Sequence, residues 1–260
     1  MTRRNPTRPV LSRRSFVRAL GVGSATLIVP GCDWLGDSPT FQELVLSSGN
    51  WLSYRVHRLI GASSLAREYS PAEMSPDFRT NGNTMPTAPD YQRHLDTGFA
   101  NWRLVVDGLV ETPMAYSLAE LRALPARSQI TRHDCVEGWS AIGKWTGVPL
   151  AGLLDRSRIR PEARYVVFHC ADDFSGTSYY ESVDLIGALH PQTILAYGMN
   201  DAMLPVGHGA PLRLRLERQL GYKQAKYVMR VEVVDSLARF GRGKGGFWED
   251  DGNYDWYAGI

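Results

Sequence analysis

Apolar positions recur with a helical period in one early stretch and with strand-like alternation further on. Across residues 40–70, Phe41, Leu44, Val45, Leu52, Val56, Leu59 and Ile60 follow a three-to-four-residue spacing, which predicts a short helix or two packed on the domain. Residues 70–96 are polar and proline-rich and carry no period. The run Trp102-Arg103-Leu104-Val105-Val106-Asp107-Gly108-Leu109-Val110 alternates and meets an Asp-Gly pair, so a hairpin turning at Asp107-Gly108 is expected. Ser117 with Glu120 three residues on forms a capping box and predicts a helix start. Runs at 128–132, 165–170 and 227–234 carry β-branched or aromatic residues, and 212–216 alternates leucine with arginine; all four predict strands, while 150–156 and 183–189 predict short helices. Strands and helices mix without a regular βαβ rhythm, so the expected class is α+β, with mixed β-sheets and short helices, rather than a doubly wound sheet.

The first residues read as an address. Ser12-Arg13-Arg14-Ser15-Phe16 is a twin-arginine run, followed by an apolar stretch over 19–29 that is too short to span a bilayer. The stretch ends in Val29-Pro30-Gly31-Cys32, which has the shape of a lipoprotein cleavage site apart from its proline; ordinary cleavage a few residues on is the alternative. The expected organisation is therefore a twin-arginine signal over 1–32 with a candidate lipid attachment at Cys32, a helical segment or linker over 33–75, and a catalytic domain over 76–260. Such a signal implies a periplasmic or other extracytoplasmic location, with a membrane anchor if Cys32 is acylated. This export route carries folded proteins, which favours a cofactor inserted before export.

About 230 residues remain, enough for a substantial core. A formal charge of +2 and the lack of a long basic run give no reason to invoke nucleic acid. The three cysteines, Cys32, Cys135 and Cys170, show no C-x-x-C spacing, so an iron-sulfur or structural zinc site cannot be built from cysteine alone. In an oxidising compartment a Cys135–Cys170 disulfide is the plain alternative to a reactive thiol. No haem-attachment or dinucleotide motif is present, so electrons for redox chemistry would come from a separate partner.

Several blocks then run in order: Phe78-Arg79-Thr80-Asn81, residues 102–113, Cys135-Val136-Glu137-Gly138-Trp139-Ser140, Gly176-Thr177-Ser178-Tyr179, Leu195-Ala196-Tyr197-Gly198-Met199-Asn200, His208-Gly209-Ala210-Pro211-Leu212-Arg213 and Tyr222-Lys223-Gln224-Ala225-Lys226. With the closing Gly246-Phe247-Trp248-Glu249 and Trp256-Tyr257-Ala258-Gly259, they resemble the molybdopterin-binding domain of the sulfite oxidase family. Within that family the chain is more similar to the bacterial periplasmic methionine sulfoxide reductase catalytic subunits than to sulfite oxidases. The resemblance implies molybdenum on a single pyranopterin without a nucleotide, Cys135 as the thiolate ligand, and Tyr179 at the active site, with Tyr180 as its rival. It also implies a monomer without a C-terminal dimerisation domain, served by a membrane haem or quinol-linked donor.

The cofactor phosphate needs donors and positive charge, for which Arg79, His133, His208, Arg213, Lys223 and Lys226 are candidates. Asn81, Ser175 and Thr177 are candidates for further hydrogen bonds to the phosphate or pterin. Spacing does not decide between Lys223 and Lys226. Sulfite oxidases follow their cysteine with arginines, whereas here Glu137 and Trp139 stand in that segment. A carboxylate there opposes an anion, so a neutral S-oxide or N-oxide fits better. Glu137 is expected to deliver the proton that oxygen removal requires, provided desolvation raises its pKa. Asp172, Asp173 and Glu181 make the rim look acidic. Oxygen-atom transfer in the reductive direction is the expected reaction; oxidation of a sulfur compound, or a non-catalytic binding protein on the same fold, are the alternatives.

Overall fold

The β-branched runs pair into two five-stranded sheets. The computed structural model describes residues 47–61, 63–174 and 176–260. The export signal, Cys32, Phe41, Leu44, Val45 and Ser175 lie outside the described residues. The chain divides into two compact units, Met1–Ser53 and Tyr54–Ile260. The first contributes only the opening residues of helix α1 (Ser47–Gly61) to the described structure.

In the first sheet, β1 (Arg103–Gly108) lies between β2 (Met114–Ser117), antiparallel, and β10 (Val228–Val234), parallel. The order continues through β5 (Tyr165–Phe174) to β6 (Thr177–Asp184). The second sheet runs β3 (Arg127–Asp134), β4 (Ser140–Pro149), β7 (Ile194–Met199) and β8 (Ala202–Met203), with β9 (Arg213–Arg215) also paired to β7. One core cluster joins Leu104, Val106, Phe168 and Val231 of the first sheet to Val148, Leu195 and Leu214 of the second. Leu150, Leu153 and Leu154 of helix α4 (Leu150–Ser157) close it. Ile194 and Ala196 point to the opposite face, into a second cluster with Trp145 and Met199. Strand β7 is thus apolar on both faces, which explains its continuous hydrophobic run.

Local expectations fare unevenly. Helix α3 (Leu118–Ala123) begins on the expected capping box: Ser117 Oγ accepts from the Glu120 amide at 3.1 Å, and Glu120 Oε2 accepts from the Ser117 amide at 2.7 Å. The hairpin exists, but its turn is not Asp107-Gly108. Both residues remain in β1, opposite Glu232 and Val233 of β10, and the chain reverses only before Met114. Gly108 is required there by close approach, because a Cβ would sit 2.2 Å from the Val233 carbonyl oxygen, at φ +87°. Helix α1 forms, yet its apolar stripe is not what anchors it: Leu59 is 86% exposed, while Tyr54 and Arg58 reach the Asp184 carboxylate at 2.8 and 2.6 Å. Of the helix expected over 183–189, only α5 (Leu185–Ala188) forms, because Val183 and Asp184 complete β6. Helix α2 (Pro89–Asp96) and helix α6 (Phe247–Asp251) were not expected. Tyr91 is the one buried residue of α2, so no period marks it.

Candidate active site

Cys135 immediately follows β3, in the connection to β4. Pairing of Asp134 with Ser140 closes this loop. Within it the Cys135 amide donates to Trp139 O at 2.9 Å and the Gly138 amide to Cys135 O at 3.0 Å. Gly138 takes φ +86°, a region open to glycine without steric cost. The loop leaves Cys135 only 7% exposed and turns Val136 and Glu137 outward. Burial holds the Cys135 thiol above its ordinary value, a rise that the backbone amides of Glu137 and Val136 offset only in part. Cys135 and Cys170 are both free thiols, so the disulfide alternative is not realised.

The thiol lines a cleft of about 170 Å³. Its polar lining includes Asn81, Glu137, Asp172, Gln224 and Lys226; Phe174, Tyr179, Tyr222, Trp248 and Tyr254 supply aromatic walls. Adjacent strand residues point to opposite faces, which separates the two tyrosine candidates. Tyr179 faces the cleft and donates its hydroxyl to Tyr222 O at 2.6 Å. Tyr180 donates to Asp250 Oδ2 at 2.5 Å and lines a neighbouring cavity. Thr177 lines that second cavity rather than the Cys135 cleft.

The cationic candidates also sort by position. Lys226 is in the cleft, its ammonium donating to the carbonyls of Asn81 at 2.6 Å, Gly207 at 3.1 Å and Asn83. Burial and the nearby Arg213 bring Lys226 down to about 7. Arg213 is buried behind it, donating to His208 O at 3.0 Å, with its guanidinium 4.8 Å from the Trp145 ring centre and its Nε unpartnered. Burial and Arg215 lower Arg213 to about 9. His208 falls to about 4 through burial and Arg213. His133, fully buried, is pushed well below its ordinary value by burial and then by Arg215. Its Nδ1 accepts from Arg215 Nη1 at 3.2 Å, since arginine can only donate, which puts the proton on the unpartnered Nε2. Gly221 packs on this ring, where a Cβ would come within 2.6 Å of Nε2.

Lys223 does not belong to this set. Its ammonium is buried between Glu181 and Glu249, at 2.6 Å from the latter, and does not line the cleft. Two carboxylates hold it and meet its charge within the protein. Arg79 is exposed and also off the cleft lining. Glu137 lines the cleft but is exposed, with Oε2 accepting from Trp139 Nε1 at 2.9 Å. The desolvation expected of it is absent. Trp139 packs on His133 and Phe78, at ring separations of 5.5 and 6.2 Å, and so acts as a packing residue.

The carboxylate that is buried in the cleft is Asp172. It is 4% exposed, and its Oδ1 has no partner. The β5–β6 register breaks between His169 and Asp173, and Ala171 donates instead to Tyr227 O at 3.0 Å. A break of this kind re-aims a side chain out of the sheet alternation. Burial raises Asp172 to about 7, against the opposing pull of Lys226. The sequence reading placed Asp172 at an acidic rim with Asp173 and Glu181; the structure buries it in the cleft instead.

These residues suit a molybdenum cofactor. Among the described residues no group of three or more His, Cys, Asp or Glu side chains could cage a metal, and the cleft lining holds one thiol, Cys135. Lys226, Arg213, His208 and His133 each have their charged form disfavoured by burial and by neighbouring cations, a balance that a phosphate dianion would reverse.

Residues 91–239 match the family model for the oxidoreductase molybdopterin binding domain. Over 249 residues the chain is 38% identical to a putative protein-methionine-sulfoxide reductase subunit, YedZ1, of Azospira oryzae, spanning 95% of this chain and 88% of that protein. It is 36% identical over 145 residues to the protein-methionine-sulfoxide reductase catalytic subunit MsrP of Ralstonia nicotianae, spanning 52% of this chain and 44% of that one. A solved structure, the sulfane dehydrogenase SoxCD of Paracoccus pantotrophus, superposes with a TM-score of 0.48 at 23% identity, over 52% of this chain and 39% of that one. The chain belongs to the oxidoreductase molybdopterin-binding domain family, and is a molybdopterin-dependent oxidoreductase of the sulfite oxidase type.

Proposed function

We propose that this protein is an extracytoplasmic reductase of S-oxides, methionine sulfoxide among them, working with a molybdenum cofactor of one pyranopterin and taking electrons from a separate protein. The observation that carries this reading is the charge of the cleft. Among the described residues no arginine lines it, and its one cation, Lys226, is engaged by three backbone carbonyls, while Glu137 and Asp172 both present carboxyl groups. A doubly charged sulfite would meet repulsion there, whereas a neutral oxide would not. Both methionine-sulfoxide reductase relatives support the substrate class, and the twin-arginine run supports the location.

When bound, the cofactor supplies a two-electron centre able to accept an oxygen atom. Cys135 gives it a soft thiolate, which the amides of Val136 and Glu137 help hold in its charged form. Lys226, with Arg213 and His208 behind it, balances the phosphate, and Asn81 and Gln224 offer polar edges to the pterin. Tyr179 holds the Tyr222 backbone at the cleft wall, and Phe174 and Trp248 offer apolar surface to the thioether part of a substrate.

The test is metal and pterin analysis of protein matured through its own export route, followed by reduced-dye assays on S-oxides, N-oxides and, in the oxidative direction, sulfite. Molybdenum near one per chain with turnover of methionine sulfoxide is expected. Sulfite oxidation without oxide reduction would reverse the assigned direction.

A further inference from the structure

We infer that Asp172 is the catalytic residue that gives a proton to the oxygen leaving the S-oxide, an inference that rests on the reductase reading above. Asp172 is the buried carboxyl group in the cleft that holds Cys135, and the break in β5–β6 pairing aims it there. Its Oδ1 is enclosed yet makes no hydrogen bond within the protein. An enclosed, unpaired carboxyl oxygen in the cleft that holds the thiol is costly for stability, and such costs concentrate where chemistry uses them.

The competing donors are less suitable. Glu137 is exposed and engaged by Trp139. The Tyr179 hydroxyl proton is committed to Tyr222 O, and the Lys226 ammonium is spread over three carbonyls. The titratable and charged groups around Asp172 are Lys226, Asp173, Cys170, Tyr91, Tyr179 and Tyr227. Lys226 favours its charged form and Asp173 opposes it, while burial keeps the proton on until about pH 7, a range suited to general acid catalysis.

The reaction balances as one S-oxide, two protons and two electrons giving one thioether and one water. The S–O bond breaks and two O–H bonds form on the departing oxygen. The electrons come from the reduced donor protein, or from a reduced viologen in an assay. Asp172 supplies one proton and is recharged by solvent in the cleft; solvent supplies the other.

The test compares wild type, Asp172→Asn and Asp172→Glu as holoenzymes, with kcat and KM for methionine sulfoxide measured across a pH series centred on about 7 and normalised to molybdenum content. Wild-type kcat should fall as pH rises through that value. Asp172→Asn should lose roughly 10²-fold or more in kcat with little change in KM and should lack that descending limb, while Asp172→Glu restores it. Infrared difference spectra should show a protonated-carboxyl band in the wild-type holoenzyme at acidic pH that is missing from Asp172→Asn. An Asp172→Asn enzyme with full molybdenum, unaltered kcat and an unaltered limb overturns the assignment, as does a carboxyl band that survives the substitution. If Asp172→Asn fails to load molybdenum, Asp172→Glu decides: a displaced limb supports the role and an undisplaced one overturns it. A loaded wild type that reduces no S-oxide removes the reductase reading and this role together; an active wild type indifferent to Asp172 removes this role alone.

Discussion

Cys135 keeps its position through the backbone of the loop over 135–139, and Gly138 is the residue on which that loop turns. Its φ of +86° makes any L side chain strained, although a Cβ there meets no atom within 4 Å. Gly138→Ala should therefore cost about 1–2 kcal/mol, read as a lower Tm in thermal denaturation. Gly221→Ala should instead disturb His133, because its Cβ would collide with the imidazole, and should reduce cofactor content. Lys226 gives a pH signature in the apoprotein. Burial depresses it to about 7, so between that value and the free-lysine range the unfolded chain binds more protons than the folded one. Stability should rise with pH across that window, and Lys226→Met should flatten the rise; an unchanged slope would contradict the buried position. Cys135 and Lys226 were legible as residue types in a block. Asp172 was legible only as part of an acidic rim and not as a buried carboxyl group, because its burial depends on a break in strand register that no local pattern encodes.

Strand β6 shows how an element distributes chemistry. Alternation sends Tyr179 toward the cleft and Tyr180 toward Asp250. Beyond them, Glu181 meets Lys223 and Glu249, tying β6 to the turn before β10 and to α6. Lys223→Met leaves two buried carboxylates without their cation and should destabilise by about 3–5 kcal/mol, measurable in denaturant melts. This is why spacing could not rank Lys223 against Lys226: both lie in one short segment, and only the fold shows which carboxylates claim the first. Other elements were hidden for different reasons. Strand β4 carries Gly143 and Gly147, which weaken strand propensity, yet its register against β3 is continuous from Arg127 to Asp134. The Ser117 capping box, by contrast, is wholly local and was legible; Ser117→Ala should cost about 1 kcal/mol.

At the scale of the whole molecule, the cleft is made by segments far apart in sequence. The loop at 81–83, the turn after β3, the broken part of β5, the turn at 221–226 and the aromatic residues near 248–254 converge on Cys135. Their ordered recurrence made the family legible, while their convergence depends on tertiary packing between the two sheets. The same convergence gives the site its charge logic, with Lys226 and two carboxyl groups at the lining and Arg213 buried behind it. The most direct test of this account is molybdenum X-ray absorption on wild type and Cys135→Ser matured through the native export route. The account predicts a molybdenum-loaded wild type whose sulfur shell loses one ligand on substitution. Purified wild type without molybdenum, or a sulfur shell that the substitution leaves unchanged, would contradict it.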